Sequence, residues 1–338
     1  MSVTDLASLD LLAECTAEEV ADLARRLRSR EFAAGDVLMR EGDPGTFFAL
    51  LVHGSVSVTR ATPDGTELLA VAGPGSIGGE LALLRGQTRT ATVRASTSGV
   101  ALVGTADDLE FLLSLRGVHD RVMHVASARL AQDARPVRVP IRDGSTIVLR
   151  PLLPTDRTAY TATLDEQSAE WRRRRFFTAS RPTDRVIDYL LDIDFVDHFA
   201  WVVLEHETAD RGLGVSRYIR SDGESDEAEI AMAVTEGHQG LGLGTLLLGA
   251  TAVAAADAGI DRFTATVQGD NEPMRAVFAK VGAKTTFSEP GVVRVDFRTQ
   301  DAVALLKPGL RQELHAATRE IVTAAGLALT DRLPPSDT

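Results

Sequence analysis

Two stretches of the chain gather residue types that can hold a phosphate, and the second also carries acids. The first is GPGSIGGELALLRGQTRTATVRA, residues 73–95. Gly78 and Gly79 let backbone come close to a ligand. Glu80 follows, Leu81 and Ala82 can open a helical turn that aims N–H groups at an anion, and Arg89 and Thr90 stand in a strand-like alternation. An Arg nine residues after an acid and a glycine turn suits a small sugar phosphate. The Arg neutralises the phosphate, the carboxylate accepts from a ribose hydroxyl, and amides complete the cradle. A glycine-rich hairpin with a surface Arg–Glu pair is the competing reading. The second stretch is EAEIAMAVTEGHQGLGLGTLLLGATAVAAA, residues 227–256. A strand enters alternating Gly240, Gly242 and Gly244, and an Ala-rich helix starts at once. Backbone amides at such a start bind a pyrophosphate without basic side chains. The dinucleotide pattern G-x-G-x-x-G fails at Thr245, and no Gly-Lys-Ser/Thr follows for a Walker loop. A tight strand–helix turn with no ligand competes here.

The elements that must position these residues follow from periodicity. Leu9, Leu11 and Leu12, then Val20, Leu23 and Leu27, recur near helical spacing, with Thr16 and Glu19 as a capping box. From Phe32, short apolar runs alternate with Gly and Pro turns at about ten-residue spacing, as in a small antiparallel barrel or jelly roll. Residues 109–130 read as a helix breakable at Gly117, and residues 132–144, with prolines at 136 and 140, as a linker. Strands then interleave with helices: 159–189 helical, strands at 199–205, 212–220 and 228–234, a helix over 246–256, a strand at 263–267, a helix over 273–281 and a strand at 291–297. That alternation indicates an α/β domain. The tail, 301–338, carries an amphipathic helix (Leu305, Leu310, Leu314, Ile321, Leu327) and ends in PPSDT.

Composition narrows the partners. Of 338 residues, 36 are Lys or Arg and 48 Asp or Glu, a net charge of −12, so a general nucleic-acid binder is not expected. Lysines number three (Lys280, Lys284, Lys307). With one cysteine, Cys15, and scattered histidines, neither a disulfide framework nor a metal site is expected. The start, MSVTDLASLD, lacks a signal peptide's basic and apolar regions, and the longest uncharged stretch, 240–256, is short for a membrane span, so a soluble cytoplasmic chain is expected.

Residues 73–95 resemble the cyclic-nucleotide-binding domain family, whose cassette reads G-E-L-A-L, an insert, then R-x-A-T-V-R-A. Here it stands as Gly79-Glu80-Leu81-Ala82-Leu83 and Arg89-Thr90-Ala91-Thr92-Val93-Arg94-Ala95. The resemblance implies Glu80 on the ribose 2′-hydroxyl and Arg89 on the cyclic phosphate. Gly78 stands where an aromatic is common, and Thr90 leaves cyclic AMP favoured with cyclic GMP open. The family closes on the base with a lid, for which Arg138 is chosen over Arg129 and Arg135 as a stacking cation.

Gln239-x-x-Gly242-x-Gly244 resembles the acetyl-CoA loop of the GNAT N-acetyltransferase family, and Asn271, Phe278 and Gly282 match its Asn-x6-aromatic-x3-Gly segment. The resemblance implies acetyl-CoA along Met232, Ala233, Val234, Gln239, Gly240, Leu241, Gly242, Leu243, Gly244 and Thr245, with Asn271 on the pantetheine or the phosphate region and Lys280 on a CoA phosphate. Phe278 stands where a Tyr general acid is common and cannot donate a proton. Acylating an amine requires removing a proton from an ammonium of pKa about 10.4, work for a carboxylate general base. The family's match for that base falls on Glu229.

LRPLLPTD, SAEWRRRRFF and DHFAWVVLE are similar to bacterial protein acetyltransferases, and Arg172, Arg173, Arg174 and Arg175 could meet an acidic substrate or CoA phosphates. The chain as a whole resembles the actinobacterial cyclic-AMP-regulated protein lysine acetyltransferases. That implies an α+β fold of two domains: a cyclic-nucleotide-binding jelly roll over 1–131, a linker at 132–144, a GNAT domain over 145–300 and a regulatory helical tail over 301–338. It implies acetyl-CoA as co-substrate, cyclic AMP as effector, no metal, and acyl- and acetyl-CoA synthetases or stress proteins as substrates. The alternatives are acetylation of a small-molecule amine and a non-catalytic sensor of cyclic nucleotide and CoA. A transcription factor is not expected, because residues 131–338 show no helix-turn-helix.

Overall fold

The computed structural model describes residues 6–62, 65–205, 211–220 and 225–330. The chain divides into two compact units, Met1–Ala126 and Ser127–Thr338. The final PPSDT lies outside the described residues.

In the first unit the Gly and Pro turns cut the chain into eight strands: β1 (Arg28–Phe32), β2 (Val37–Met39), β3 (Phe48–His53), β4 (Val56–Thr62), β5 (Gly65–Ala72), β6 (Ile77–Gly78), β7 (Thr92–Ala95) and β8 (Gly99–Gly104). They pair antiparallel in two four-stranded sheets, ordered β1-β8-β3-β6 and β2-β7-β4-β5. This is the expected double-sheet jelly roll. Phe32, Leu38, Leu51, Val56 and Ala101 form one buried cluster. Helices α1 (Ala17–Arg26), α3 (Ala106–Ser114) and α4 (Val118–Asp133) flank the sheets, and α2 (Glu80–Arg85) lies between β6 and β7. A larger core joins Leu12 and Leu23 to Phe48, Leu50, Leu102, Leu112 and Val122. The capping box holds: Thr16 Oγ1 accepts from the Glu19 amide, and Glu19 Oε2 from the Thr16 amide at 2.7 Å. The helix read over 109–130 is divided between α3 and α4, with Gly117 at the break.

The second unit is built on one eight-stranded sheet, ordered β15-β16-β14-β13-β12-β11-β10-β9. Its strands are β9 (Val137–Pro140), β10 (Thr146–Pro151), β11 (His198–Glu205), β12 (Gly212–Ile219), β13 (Glu227–Val234), β14 (Arg262–Gln268), β15 (Lys284–Glu289) and β16 (Val292–Arg298). The β9 strand corrects the sequence reading, in which residues 132–144 are a linker. Val137 and Val139 are buried and alternate with exposed Arg138 and Pro140, and proline is tolerated because the strand lies at the sheet edge. Residues 159–189, read as one helical stretch, are three helices: α5 (Arg157–Asp165), α6 (Ala169–Phe176) and α7 (Asp184–Leu191). Ser168 and Thr183 start α6 and α7 by accepting from the amides of Trp171 and Val186, as N-caps do.

Helix α8 (Leu243–Asp257) is apolar around nearly its whole circumference, the pattern of a helix covered on all sides. The sheet covers one side: Trp201 Nε1 donates to the Ala250 carbonyl, and Thr251 Oγ1 to Ser216. Helix α11 (Pro308–Thr330) covers another, where Thr318 and His315 both meet the Asp257 carboxylate at 2.6 Å. Helix α9 (Glu272–Ala279) follows β14, and α10 (Thr299–Val303) follows β16. Among the described residues no helix is long and apolar enough to cross a membrane, and no group of three His, Cys, Asp or Glu could hold a metal.

Candidate functional site

The cradle in the first unit is organised by a buried arginine. Gly79 caps α2 with φ +84°, a conformation that costs a side-chain-bearing residue, and a methyl there would also strike Arg89 Nη1. Glu80 is the first residue of α2 and is fully buried; Ala82 is buried and Leu81 half-buried. Arg89 is 5% exposed. Its Nη1 donates to the Gly79 carbonyl at 2.9 Å and its Nη2 to the Phe47 carbonyl at 2.5 Å, and its plane lies 4.7 Å from the Phe47 ring centre. Burial pulls this guanidinium below its ordinary value, while the charges of Glu80 and Asp43 oppose the fall. Gly79, Glu80 and Arg89 thus come together. Gly78 ends β6 beside them, and Thr90 is exposed. Arg138 is exposed on β9, in the sheet of the second unit. Sequence reasoning missed Phe47 and Asp43, which lie more than forty residues upstream of Arg89 and carry no motif.

In the second unit the geometry turns on β13 and β14, the one parallel pair in the sheet as described. Their register runs Glu227–Arg262, Ala228–Phe263, Glu229–Thr264 and stops there. On its other edge β13 stays paired with β12 from Glu229 to Val234. The strands therefore part just beyond Glu229, leaving one edge of residues 230–233 without a strand partner, while the Val234 carbonyl accepts from Trp171 Nε1 at 2.8 Å. The wedge opens into a cleft of about 320 Å³. Met232, Ala233, Val234, Gln239, Gly240, Gly242, Leu243, Gly244, Thr245, Asn271 and Lys280 all line it; Leu241 does not. Gly242 caps α8 at φ +93°, so the first amides of that 15-residue helix face the cleft mouth. Lys280 Nζ donates to Thr245 Oγ1 at 2.7 Å. Asn271 uses its Oδ1 to cap α9, accepting from the Met274 amide.

The arginine run divides by contact. Arg172 donates to the carbonyls of Ala179 and Gln167, and Arg173 bonds Glu170, Gln268 and Asp270. Arg174 and Arg175 line the cleft. Arg142, which sequence reasoning missed, also lines it, its Nη1 3.3 Å from the Gly240 carbonyl. The alternation Val137-Arg138-Val139 was the one signal for the hairpin that delivers it. Phe278 is not a cleft residue: it is 2% exposed and packs on Phe297 at 5.5 Å. No tail residue lines this cleft among those described.

Glu229 is exposed at the point of the wedge, on the sheet face that also carries Arg217. Arg217 is 1% exposed and held by the carbonyl of Leu190, by His198 Nε2 and by the Tyr160 hydroxyl. His198 Nδ1 lies 2.8 Å from the Asp192 carbonyl, which fixes the proton on Nδ1 and leaves Nε2 to accept from Arg217. Burial first, then the Arg217 charge, pushes His198 down to about 3. Its stabilising contribution is complete above the unfolded value near 6.5 and is lost as pH falls from there toward 3. At pH 5 about 2 kcal/mol should be gone. Imidazole NMR should show His198 neutral, with its proton on Nδ1, at pH 5; an imidazolium there would contradict the arrangement.

Known proteins match both units. The cyclic nucleotide-binding domain family matches residues 29–115, and the GNAT acetyltransferase domain family residues 146–284. An acetyltransferase called Pat, from Mycolicibacterium smegmatis, is 36% identical over 322 residues, covering 95% of this chain and 96% of its own. A cyclic nucleotide-gated potassium channel from Mesorhizobium japonicum is 42% identical over 95 residues, 28% of this chain and 25% of its own. A solved structure, a cAMP-binding acyltransferase from Mycobacterium smegmatis, is 33% identical and covers 96% of this chain and 97% of its own, at a TM-score of 0.49. The chain is an N-acetyltransferase, and it belongs to the Pat family, which joins a cyclic nucleotide-binding domain to a GNAT domain.

Proposed function

We propose that the chain transfers acetyl from acetyl-CoA to lysines of other proteins, in the cytoplasm, under control of cyclic AMP. The observation that carries the catalytic half is the position of Glu229, an exposed carboxylate where β13 and β14 separate. The residues present fit acetyl-CoA. The free edge of β13 suits the pantetheine amides, the start of α8 suits the pyrophosphate, and Arg142, Arg174, Arg175 and Lys280 give this cleft positive charge in a chain of net charge −12. Acetyl-CoA supplies the acetyl group as a thioester. Glu229, directly or through a water, takes the proton that a lysine ammonium must lose before its nitrogen can attack. Arg142→Ala should raise KM for acetyl-CoA about tenfold and spare kcat, because phosphate contacts lie away from the reacting carbon. Initial rates read this, and an unchanged KM would remove Arg142 from the site.

The control half is supported by the buried Arg89 beside Glu80 and by a relative. A CRP-like cAMP-activated global transcriptional regulator from Mycobacterium tuberculosis is 29% identical over 113 residues. Acyl- and acetyl-CoA synthetases and stress proteins are the proposed acceptors. Mass spectrometry of an acetyl-CoA synthetase incubated with the chain and acetyl-CoA should show acetyl-lysine. Transfer only to small amines would instead support the small-molecule reading.

A further inference from the structure

The sheet face that carries Glu229 also carries the buried Arg217. The groups whose charges act on Arg217 are Tyr160, Arg175 and Tyr189, with no carboxylate among them. Arg175 reaches the same place from the last turn of α6, and the carboxylate acting on it is that of Glu229. Arg175 and Arg217 act on one another, and Glu229 acts on Arg175.

The two arginines are not equally engaged. Both terminal nitrogens of Arg217 donate to protein atoms. Arg175 lies 5.0 Å from the Phe176 ring centre, and its Nε, like that of Arg217, has no hydrogen-bond partner among the described residues. It also lines the cleft. A half-buried cation with a donor to spare, lining the cleft, is arranged for an anion that forms during the reaction. The reaction forms one. The position where a phenol could protonate the leaving sulfur is Phe278, which has no hydroxyl and is turned into the core.

We propose that the Arg175 guanidinium takes the charge of the departing coenzyme A thiolate, a catalytic role that rests on the acetyl-CoA reading of the cleft. The lysine ammonium gives one proton to Glu229. Its nitrogen forms a bond to the acetyl carbon as the carbonyl π pair moves to oxygen. The carbonyl re-forms, the C–S bond breaks with its electron pair on sulfur, and the nitrogen releases its second proton to solvent. Arg175 donates to the sulfur until the thiolate takes a proton from water on leaving.

The test uses the full chain with coenzyme A, whose thiolate is read by ultraviolet absorbance across pH, with binding followed by calorimetry. Bound coenzyme A should ionise at lower pH than free coenzyme A on the wild type, and near the free value on Arg175→Ala. The kcat of that variant should fall about 10²–10³-fold. Added guanidinium ion should restore part of it, and Arg175→Lys should lie between. If Arg175→Ala binds coenzyme A and its thiol ionises as on the wild type, the role is overturned. If the wild type binds no coenzyme A, the cleft reading falls, and the role of Arg175 falls with it.

Discussion

Glu229→Gln should lower kcat for lysine acetylation by about 10²–10⁴ at pH 7, the range general-base catalysis supplies. Glutamine keeps the shape of the side chain, and the site is exposed, so the fold should be unaffected. KM for acetyl-CoA should stay within about twofold, because the ligand's proposed contacts lie at residues 232–245 and along α9. The defect should also shrink as pH rises. Without a base the variant depends on the fraction of lysine already neutral, which grows about tenfold per pH unit below 10. A profile that rises with that slope for the variant, but levels off for the wild type, would tie Glu229 to proton removal. Equal kcat at pH 7 would move the base elsewhere.

Arg89→Ala should remove most of the nucleotide affinity of the first unit. Truncating one partner of a buried, hydrogen-bonded charge pair costs about 2–5 kcal/mol, or roughly 30-fold to several thousand-fold in Kd. The structure adds a reason for the upper part of that range. Arg89 is held by the carbonyls of Gly79 and Phe47 and by the Phe47 ring, so its loss loosens the glycine turn as well. Arg89→Lys separates charge from geometry. A lysine keeps the charge but cannot donate to both carbonyls with a planar fork, so it should recover only part of the affinity. Calorimetry with cyclic AMP reads both variants. Wild-type affinity in Arg89→Ala would place the phosphate somewhere else.

Legibility in the sequence followed chain distance. Gly79, Glu80 and Arg89 fall within eleven residues, and the loop from Gln239 to Thr245 within seven, so each reads as a local pattern of residue types and spacing. The alternation of turns and apolar runs likewise announces the two four-stranded sheets. Contacts between distant segments were not legible. Phe47 reaches Arg89 across 42 residues, and Arg142 reaches Gly240 across 98. Arg142 was further hidden because its hairpin follows a strand of four residues bounded by prolines, which has the composition of a linker. The arginine run showed a basic helix but could not show which two of its four members face the cleft; that depends on Gln268 and Asp270 engaging Arg173, since Glu170 bonds Arg173 and Arg174 alike. Phe278 kept its place in the motif yet packs on Phe297, a partner from β16 that no local pattern announces.

The most direct test of the whole account is the rate of lysine acetylation on an acetyl-CoA synthetase, titrated with cyclic AMP and, in parallel, cyclic GMP. One chain that joins a nucleotide receptor to an acetyltransferase can change rate only through a difference in nucleotide affinity between its states, typically 5–150-fold (about 1–3 kcal/mol). The predicted result is a saturable change within that range, half complete at the cyclic AMP concentration that half-fills the first unit, and absent in Arg89→Ala. A rate that stays flat while cyclic AMP binds would contradict it.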